Sequence, residues 1–456
     1  MDYDVAIVGG GPAGTAAGLT AATAGADALV IEAGVPRADR AGPGPDSTDA
    51  AGMLDYWVDL MGEDPEAIPD DVILQRLDDA AFYGPTESCT LGTTGIESSY
   101  DGFGFTFHRA RMDDWWRDRA EAAGATYAIG TGVRSVTPHL DGDDPEHTVE
   151  LADGETVSAS RVVLADGPQR RVTNAVLDDL LPADVAITDR LASTRANHIA
   201  YQEHRRFPED AFDDDTIAFW WGVMPGETAY PWIFPNDGTV ARVGLTMPIG
   251  MELDDVENPR AYDLLREDDD RIPTGETYVR RLLEREFGDE YDVETDFPRV
   301  EDRGKDGGTE TYPISSTRPV DSPTGAGIAI AGGAMGTTSA FHEGGYHVAI
   351  RSGKIAGSLA ADRALDRYND AWKDAIGGEL RRNVAFADLV ADYGPDDWDR
   401  VFRTVADAMG DGGTGSIASQ VKGGVGGARL VARYKRAKFG LRKGRYVQLR
   451  ESEYVV

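Results

Sequence analysis

The sequence predicts an α/β protein: a Rossmann-like dinucleotide-binding domain, an inserted and mostly antiparallel β-sheet domain, and a helical C-terminal region. Three observations predict it. The apolar run Val5-Ala6-Ile7-Val8 feeds into Gly9-Gly10-Gly11-Pro12-Ala13-Gly14, Ala-rich sequence to Ala24, and a second strand Ala28-Leu29-Val30-Ile31 closing on Glu32. From about 186 to 300 the pattern is strand-rich and aromatic. Beyond a buried strand at Gly327–Ala331 the chain reads as helix near 344–361 and as largely helical to about 410.

Each part of the opening stretch has a physical task. Gly9 permits a tight turn, Gly11 lets backbone approach a pyrophosphate, and Gly14 allows close helix–strand packing. The helix that starts at Pro12 and Ala13 presents N–H groups and a partial positive charge to phosphate. Glu32 is placed to accept hydrogen bonds from a ribose. The alternative is a chance Gly-rich loop in a chain with 54 Gly. Strand, helix and acid all standing at the right spacing argue against chance.

The following segments read in order. Residues 35–50 form a Gly-, Pro- and Asp-rich loop, and an amphipathic stretch surrounds Met53-Leu54-Tyr56-Trp57-Leu60. Phe103–His108 is a strand leading into a charged helix over Met112–Ala123. Residues 125–166 alternate strands and turns and end in Val162-Val163-Leu164-Ala165-Asp166-Gly167. Tyr230, Trp232 and Phe234 alternate, so on a strand they share one face. That face is either a sheet-packing surface or the wall of an apolar channel. Trp220 and Trp221, being adjacent, point to opposite faces, and one of them is core. Beyond 410 the sequence is Gly-rich to 427.

Composition narrows the partners. There are 80 acidic residues against 45 basic, a net charge of −35, and no Lys precedes Lys305. This resembles proteins of high-salt cytosols, whose carboxylate shells stay hydrated while salt screens their repulsion; the alternative is an acidic protein of ordinary salt. The charge argues against nucleic acid as a partner. A single cysteine, Cys89, rules out an internal disulfide, a Cys-ligated iron–sulfur cluster and a redox-active Cys pair. With no signal peptide and no long apolar run, the expectation is a cytoplasmic protein, soluble or peripheral to a membrane. Residues 421–450 hold basic residues and no acid. This tail either docks on an anionic lipid surface or folds back on the acidic body.

The order of segments 5–32, 162–172 and 327–357 resembles the family of FAD-dependent oxidoreductases that includes aromatic hydroxylases, flavin halogenases and geranylgeranyl reductases. Tyr230-x-Trp232-x-Phe234-Pro235 with Gly244 resembles the geranylgeranyl reductase signature. Tyr368-x-x-x-Trp372, Arg381-Arg382 and Arg109-x-x-Met112-Asp113 are similar to further elements of that group. The resemblance implies a discontinuous FAD domain over 1–185 and 296–362, a β-sheet substrate domain over 186–295, and a helical C-terminal region with its basic tail over 363–456. It implies FAD contacts from Gly9, Gly11, Pro12, Ala13, Gly14, Glu32, Arg109, Asp166, Gly167, Gly333, Gly344 and Gly345. Trp220, Tyr230, Trp232 and Phe234 would line the substrate, and His342, Tyr230 and Trp232 are the catalytic candidates. His342 is the tempting proton donor, against the plainer reading of a loop His satisfied by backbone. Three departures stand out: Arg170 replaces the family's Ser, Gly333 its Asp, and the Pro-x-x-Cys element is missing.

The implied activity is reduction of C=C bonds in geranylgeranyl chains of membrane lipids or their precursors. The substrate is an isoprenoid lipid or isoprenoid diphosphate, and electrons come from a ferredoxin-like donor or NAD(P)H. Two alternatives remain: a monooxygenase on the same fold, and a flavin-binding electron carrier with an eroded site. A halogenase fits poorly, because its catalytic Lys is expected upstream of Lys305.

Overall fold

A computed structural model describes residues 2–36, 50–142, 144–410 and 425–456. Most of the predicted loop at 35–50 and the Gly-rich stretch to 424 lie outside the described residues. The first sheet has seven strands, in the order Thr126–Ile129, Ala28–Glu32, Tyr3–Val8, Thr156–Leu164, Glu146–Leu151 and Val133–His139, with Ile328–Ile330 beside Thr156–Leu164. The long Thr156–Leu164 strand organises it. One edge pairs in parallel with Tyr3–Val8, with Ile7 opposite Val163. The other edge pairs first with Glu146–Leu151, antiparallel, and then in parallel with Ile328–Ile330, with Val163 opposite Ala329. The three segments flagged in the sequence therefore meet at one strand. Its residues Val162, Val163 and Leu164 are fully buried, as expected of a parallel strand covered on both faces.

Helices Pro12–Thr23 and Tyr346–Ala361 cross this sheet in close contact. A Cβ on Gly353 would lie 2.0 Å from the Ala13 carbonyl oxygen, and one on Gly357 2.1 Å from that of Ala17. Glycine at both sites is what lets the backbones touch.

The second sheet also has seven strands: Thr309–Ile314, His198–Arg206, Val240–Pro248, Tyr230–Pro235, Thr216–Trp220, Asp79–Tyr83 and Ser88–Leu91. Only Thr216–Trp220 with Asp79–Tyr83 is parallel. The sheet thus reaches beyond 186–295, taking two strands from 79–91 and one from 309–314. The stretch read as strand-rich and aromatic also contains a helix, Gly275–Phe287, capped by the Thr274 side chain. It packs Tyr278, Val279, Leu282 and Leu283, all fully buried, against the far face of the sheet. Its i, i+4 apolar spacing was present in the sequence but is diluted by charged residues.

Helices Tyr368–Ala375, Gly377–Val390, Pro395–Gly410 and Val425–Gly440 follow. The chain then returns to the first domain, where Leu449 bridges Val320 and the Tyr454 hydroxyl donates to the Asp321 carbonyl at 2.6 Å. The end of the basic tail is therefore part of the first core. Among the described residues, no helix is long and apolar enough to cross a membrane.

Candidate cofactor and substrate site

The opening loop is shaped by its glycines. Gly9 has φ +98°, and a Cβ there would meet the Ala165 carbonyl oxygen at 2.4 Å. At Gly14 a Cβ would lie 1.8 Å from the Gly9 carbonyl oxygen, so only glycine lets the helix start against the strand. At Gly11 the opposite holds: a Cβ there would meet nothing within 4 Å, and the same is true at Gly167, φ +73°. Open space beside bare backbone at a helix N-terminus fits a diphosphate. Pro12 occupies the first turn, where a missing N–H costs nothing, and Ala13 is buried against Gly332. Glu32 stands at the loop rim, its carboxylate accepting from the Gly10 and Gly34 N–H groups, both at 2.6 Å.

The second and third segments close around Gly167. Asp166, expected at the cofactor, caps the helix Arg171–Asp179: it accepts from the N–H groups of Val172 at 2.8 Å and Thr173 at 3.1 Å, and from the Thr173 hydroxyl at 2.5 Å. A Cβ on Gly333 would sit 3.3 Å from the Pro168 nitrogen, so Gly333 and Gly167 face one another. Arg170 is fully buried and bolts the segments together. It donates to the carbonyls of Ala334 at 2.9 Å and Ser193 at 3.2 Å and to the Thr317 hydroxyl at 3.1 Å. Burial pushes its guanidinium down to about 10, still charged at neutral pH. The departure at this position is a brace, not a gap.

Residues 339–345 form a tight turn before the Tyr346–Ala361 helix. The Ser339 hydroxyl accepts from the N–H groups of Phe341 at 3.2 Å and His342 at 3.1 Å. Gly345 is the helix N-cap, and Gly344 donates to His342 Nδ1 at 3.3 Å. Trp57 stacks on His347 at 4.2 Å and lies parallel to His342 at 6.1 Å. Burial pushes His342 down to about 4, so at neutral pH it is a neutral imidazole and a weak proton donor. The Tyr230 hydroxyl donates to the His342 carbonyl at 2.6 Å, and burial holds its phenol well above the ordinary range. Tyr230 is thus a protonated strut between sheet and turn. Arg109 pairs with Asp113 at 3.0 Å, and Asp113 accepts from the Tyr346 hydroxyl at 2.9 Å. This brings Arg109 to the N-terminus of that helix.

The residue that sequence reasoning passed over is Glu343, one position beyond the histidine it singled out. Its backbone is left-handed, φ +57°, and its carboxyl is buried. It is ringed by the Thr246 hydroxyl, Thr228 Oγ1 at 3.3 Å, Ser316 Oγ at 3.5 Å and His198 Nε2 at 3.5 Å. Burial pushes Glu343 up to about 8 and His198 down, so both are neutral near pH 7. A neutral pair is the form a dry site tolerates.

Tyr230, Trp232 and Phe234 share one face, with Tyr230–Trp232 ring centroids 5.9 Å apart and Trp232–Phe234 5.5 Å apart. Trp220, expected on that wall, lies on the other face, stacked on Tyr83 in the cluster that holds the Gly275–Phe287 helix. Trp221 shares the Tyr230 face: it stacks on Tyr230 at 4.3 Å and on Phe341 at 5.2 Å, in a buried cluster that also holds Trp398 and Phe402. Parity alone could not say which of the two tryptophans lies on the Tyr230 face.

The FAD binding domain family model matches residues 4–76. Digeranylgeranylglycerophospholipid reductase 2 of Methanopyrus kandleri is 26% identical over 401 residues, covering 83% of this chain and 84% of that protein. Geranylgeranyl diphosphate reductase of Rhodobacter capsulatus is 29% identical over 274 residues, 59% of each chain. The crystal structure of a geranylgeranyl bacteriochlorophyll reductase-like protein from Thermoplasma acidophilum superimposes with TM-score 0.69 at 19% identity, covering 95% of this chain and 99% of the other. It shares the mixed α/β FAD-binding fold.

Proposed function

We propose, from its homology to geranylgeranyl reductases, that this FAD-dependent oxidoreductase reduces C=C bonds in geranylgeranyl chains of membrane lipids or their precursors. The observation that carries the reading is the aromatic face Trp221–Tyr230–Trp232–Phe234, tied by the Tyr230 hydroxyl to the turn that starts the Tyr346–Ala361 helix. Repeated apolar units need a long dry wall, and stacked aromatics supply one.

In this reading Gly9, Gly11, Pro12, Ala13 and Gly14 hold the diphosphate and Glu32 a ribose. Gly167, Gly333, Gly344, Gly345 and Arg109 surround the remainder of the cofactor. FAD, when bound and reduced, would supply the hydride; the chain would hold the alkene beside it, exclude water and, through the helix N-terminus at Gly345, stabilise the negative charge of the reduced cofactor. The neutral carboxyl of Glu343 holds a proton within the same turn. Electrons come from a ferredoxin-like donor or NAD(P)H, and the enzyme works at the cytoplasmic membrane surface. The test is anaerobic turnover with a geranylgeranyl lipid, followed by mass spectrometry. A product heavier by two hydrogens per bond is expected. Turnover that consumes oxygen and yields a hydroxylated chain overturns the reading.

A further inference from the structure

The helix Val425–Gly440 has two unlike faces. On one, Leu430 and Tyr434 pack against the aromatic cluster and Ala437 against the first-domain core, with Leu441 buried beyond it. Positions 430, 434, 437 and 441 are the seam of an amphipathic helix. On the other face Lys435, Arg436 and Phe439 are exposed, with Arg442, Lys443 and Arg445 just beyond the helix end. Phe439 is 64% exposed, the one exposed aromatic side chain among the described residues, and the Arg442 guanidinium lies 4.5 Å from its ring centre. No Asp or Glu occurs from 425 to 450.

In a chain with 80 acidic residues, the simplest fate of such a surface is ion pairing with the body. The structure shows otherwise. Surface pairs form elsewhere, as in Arg403 with Glu87 and Arg190 with Glu453. Among the described residues, Lys435, Arg436, Arg442 and Lys443 form no ion pair. Their charge faces outward together with the ring of Phe439.

The helix also touches the outer end of a continuous aromatic path. Tyr434 stacks on Phe386 at 4.6 Å, Phe386 lies 5.5 Å from Phe341, Phe341 is 5.2 Å from Trp221, and Trp221 is 4.3 Å from Tyr230. The path runs from the outward helix to the face assigned to the substrate.

We propose that the outward face of the Val425–Gly440 helix docks on an anionic lipid bilayer, with Phe439 entering the headgroup layer and the surrounding Lys and Arg side chains holding lipid phosphates, at the outer end of the aromatic path. The role in feeding chains to the site rests on the isoprenoid reading above; the docking does not. Each basic residue at such a surface strengthens partitioning about fivefold at moderate salt. Near 1 M salt, where the screening length is roughly 3 Å, the aromatic anchor carries what binding remains.

The test is co-sedimentation of the full-length, FAD-loaded protein with vesicles of phosphatidylglycerol and phosphatidylcholine, against vesicles of phosphatidylcholine alone. The wild type is expected to pellet with the anionic vesicles only. Lys435→Glu with Arg436→Glu lowers partitioning at least about 20-fold at low salt. Phe439→Ser weakens binding at low and high salt alike. All three positions are exposed, so flavin absorbance and unfolding temperature stay at wild-type values. As a second readout, Phe439→Trp shifts its emission to the blue on adding anionic vesicles. Equal pelleting of wild type and variants, equal pelleting with both vesicles, or an unmoved emission overturns the proposal. No turnover is involved, so vesicle binding without isoprenoid reduction counts against the functional reading and leaves the docking surface standing.

Discussion

The opening loop and the turn at 339–345 both belong to the proposed site, yet they are built on different principles. In the loop, backbone does the work: Gly9, Gly11 and Gly14 have separate tasks, each set by where a Cβ would collide or find space. In the turn, side chains gathered from Trp57, His198, Thr228, Tyr230, Thr246 and Ser316 fix His342 and Glu343. Anion binding by backbone needs only a short local motif, whereas a dry site needs partners from across the fold.

The sharpest way to break the comparison is the tryptophan pair. Trp220→Ala and Trp221→Ala each remove a buried indole and are expected to cost roughly 3–5 kcal/mol in thermal unfolding. Only Trp221→Ala also raises KM for a prenyl chain, by about tenfold for each 1.4 kcal/mol of lost contact. An equal rise in both would mean that the two faces are not distinct. Next come the glycines. Gly14→Ala drives a Cβ into the Gly9 carbonyl and should destabilise even the apoprotein by about 3 kcal/mol. Gly11→Ala should leave apoprotein unfolding within about 0.5 kcal/mol of wild type yet weaken FAD in a fluorescence titration at least about tenfold, or 1.4 kcal/mol.

Glu343 gives a pH signature. Its folded value, about 8, lies above the ordinary 4.5, so the folded state keeps a proton that the unfolded chain releases. This contribution to stability is fully present below pH 4.5 and is lost as pH rises toward 8, by at most roughly 1.4 kcal/mol per pH unit. Glu343→Gln should flatten that dependence in urea unfolding between pH 5 and 8; an unchanged slope would show that the carboxyl is ionised. The smallest effect is at Asp166. As a cap, its replacement by Ala costs about 1 kcal/mol in apo and FAD-loaded protein alike. A loss confined to the loaded form would return Asp166 to the cofactor.

What was legible in the sequence follows from the same contrast. The strand–loop–helix–strand–acid order specifies the opening unit because many of its contacts are internal, Gly14 against Gly9 and Glu32 against Gly10, although Gly9 also sits against Ala165. The alternation at 230, 232 and 234 correctly placed three rings on one face. Parity could not choose between Trp220 and Trp221, since the choice depends on which side the Gly275–Phe287 helix covers. Glu343 was hidden for a similar reason. Its neutral state comes from burial among residues on other elements, and no local spacing announces that. Arg170 read as an eroded motif, whereas its carbonyl partners at 193 and 334 make it a brace.

The most direct measurement is a single anaerobic turnover. The FAD-loaded protein is reduced, oxygen is excluded, and a geranylgeranyl lipid is added while the visible spectrum is followed. Oxidised flavin absorbance should return with the lipid alone, and should return more slowly in Trp221→Ala. A flavin that stays reduced until oxygen is admitted would contradict the account.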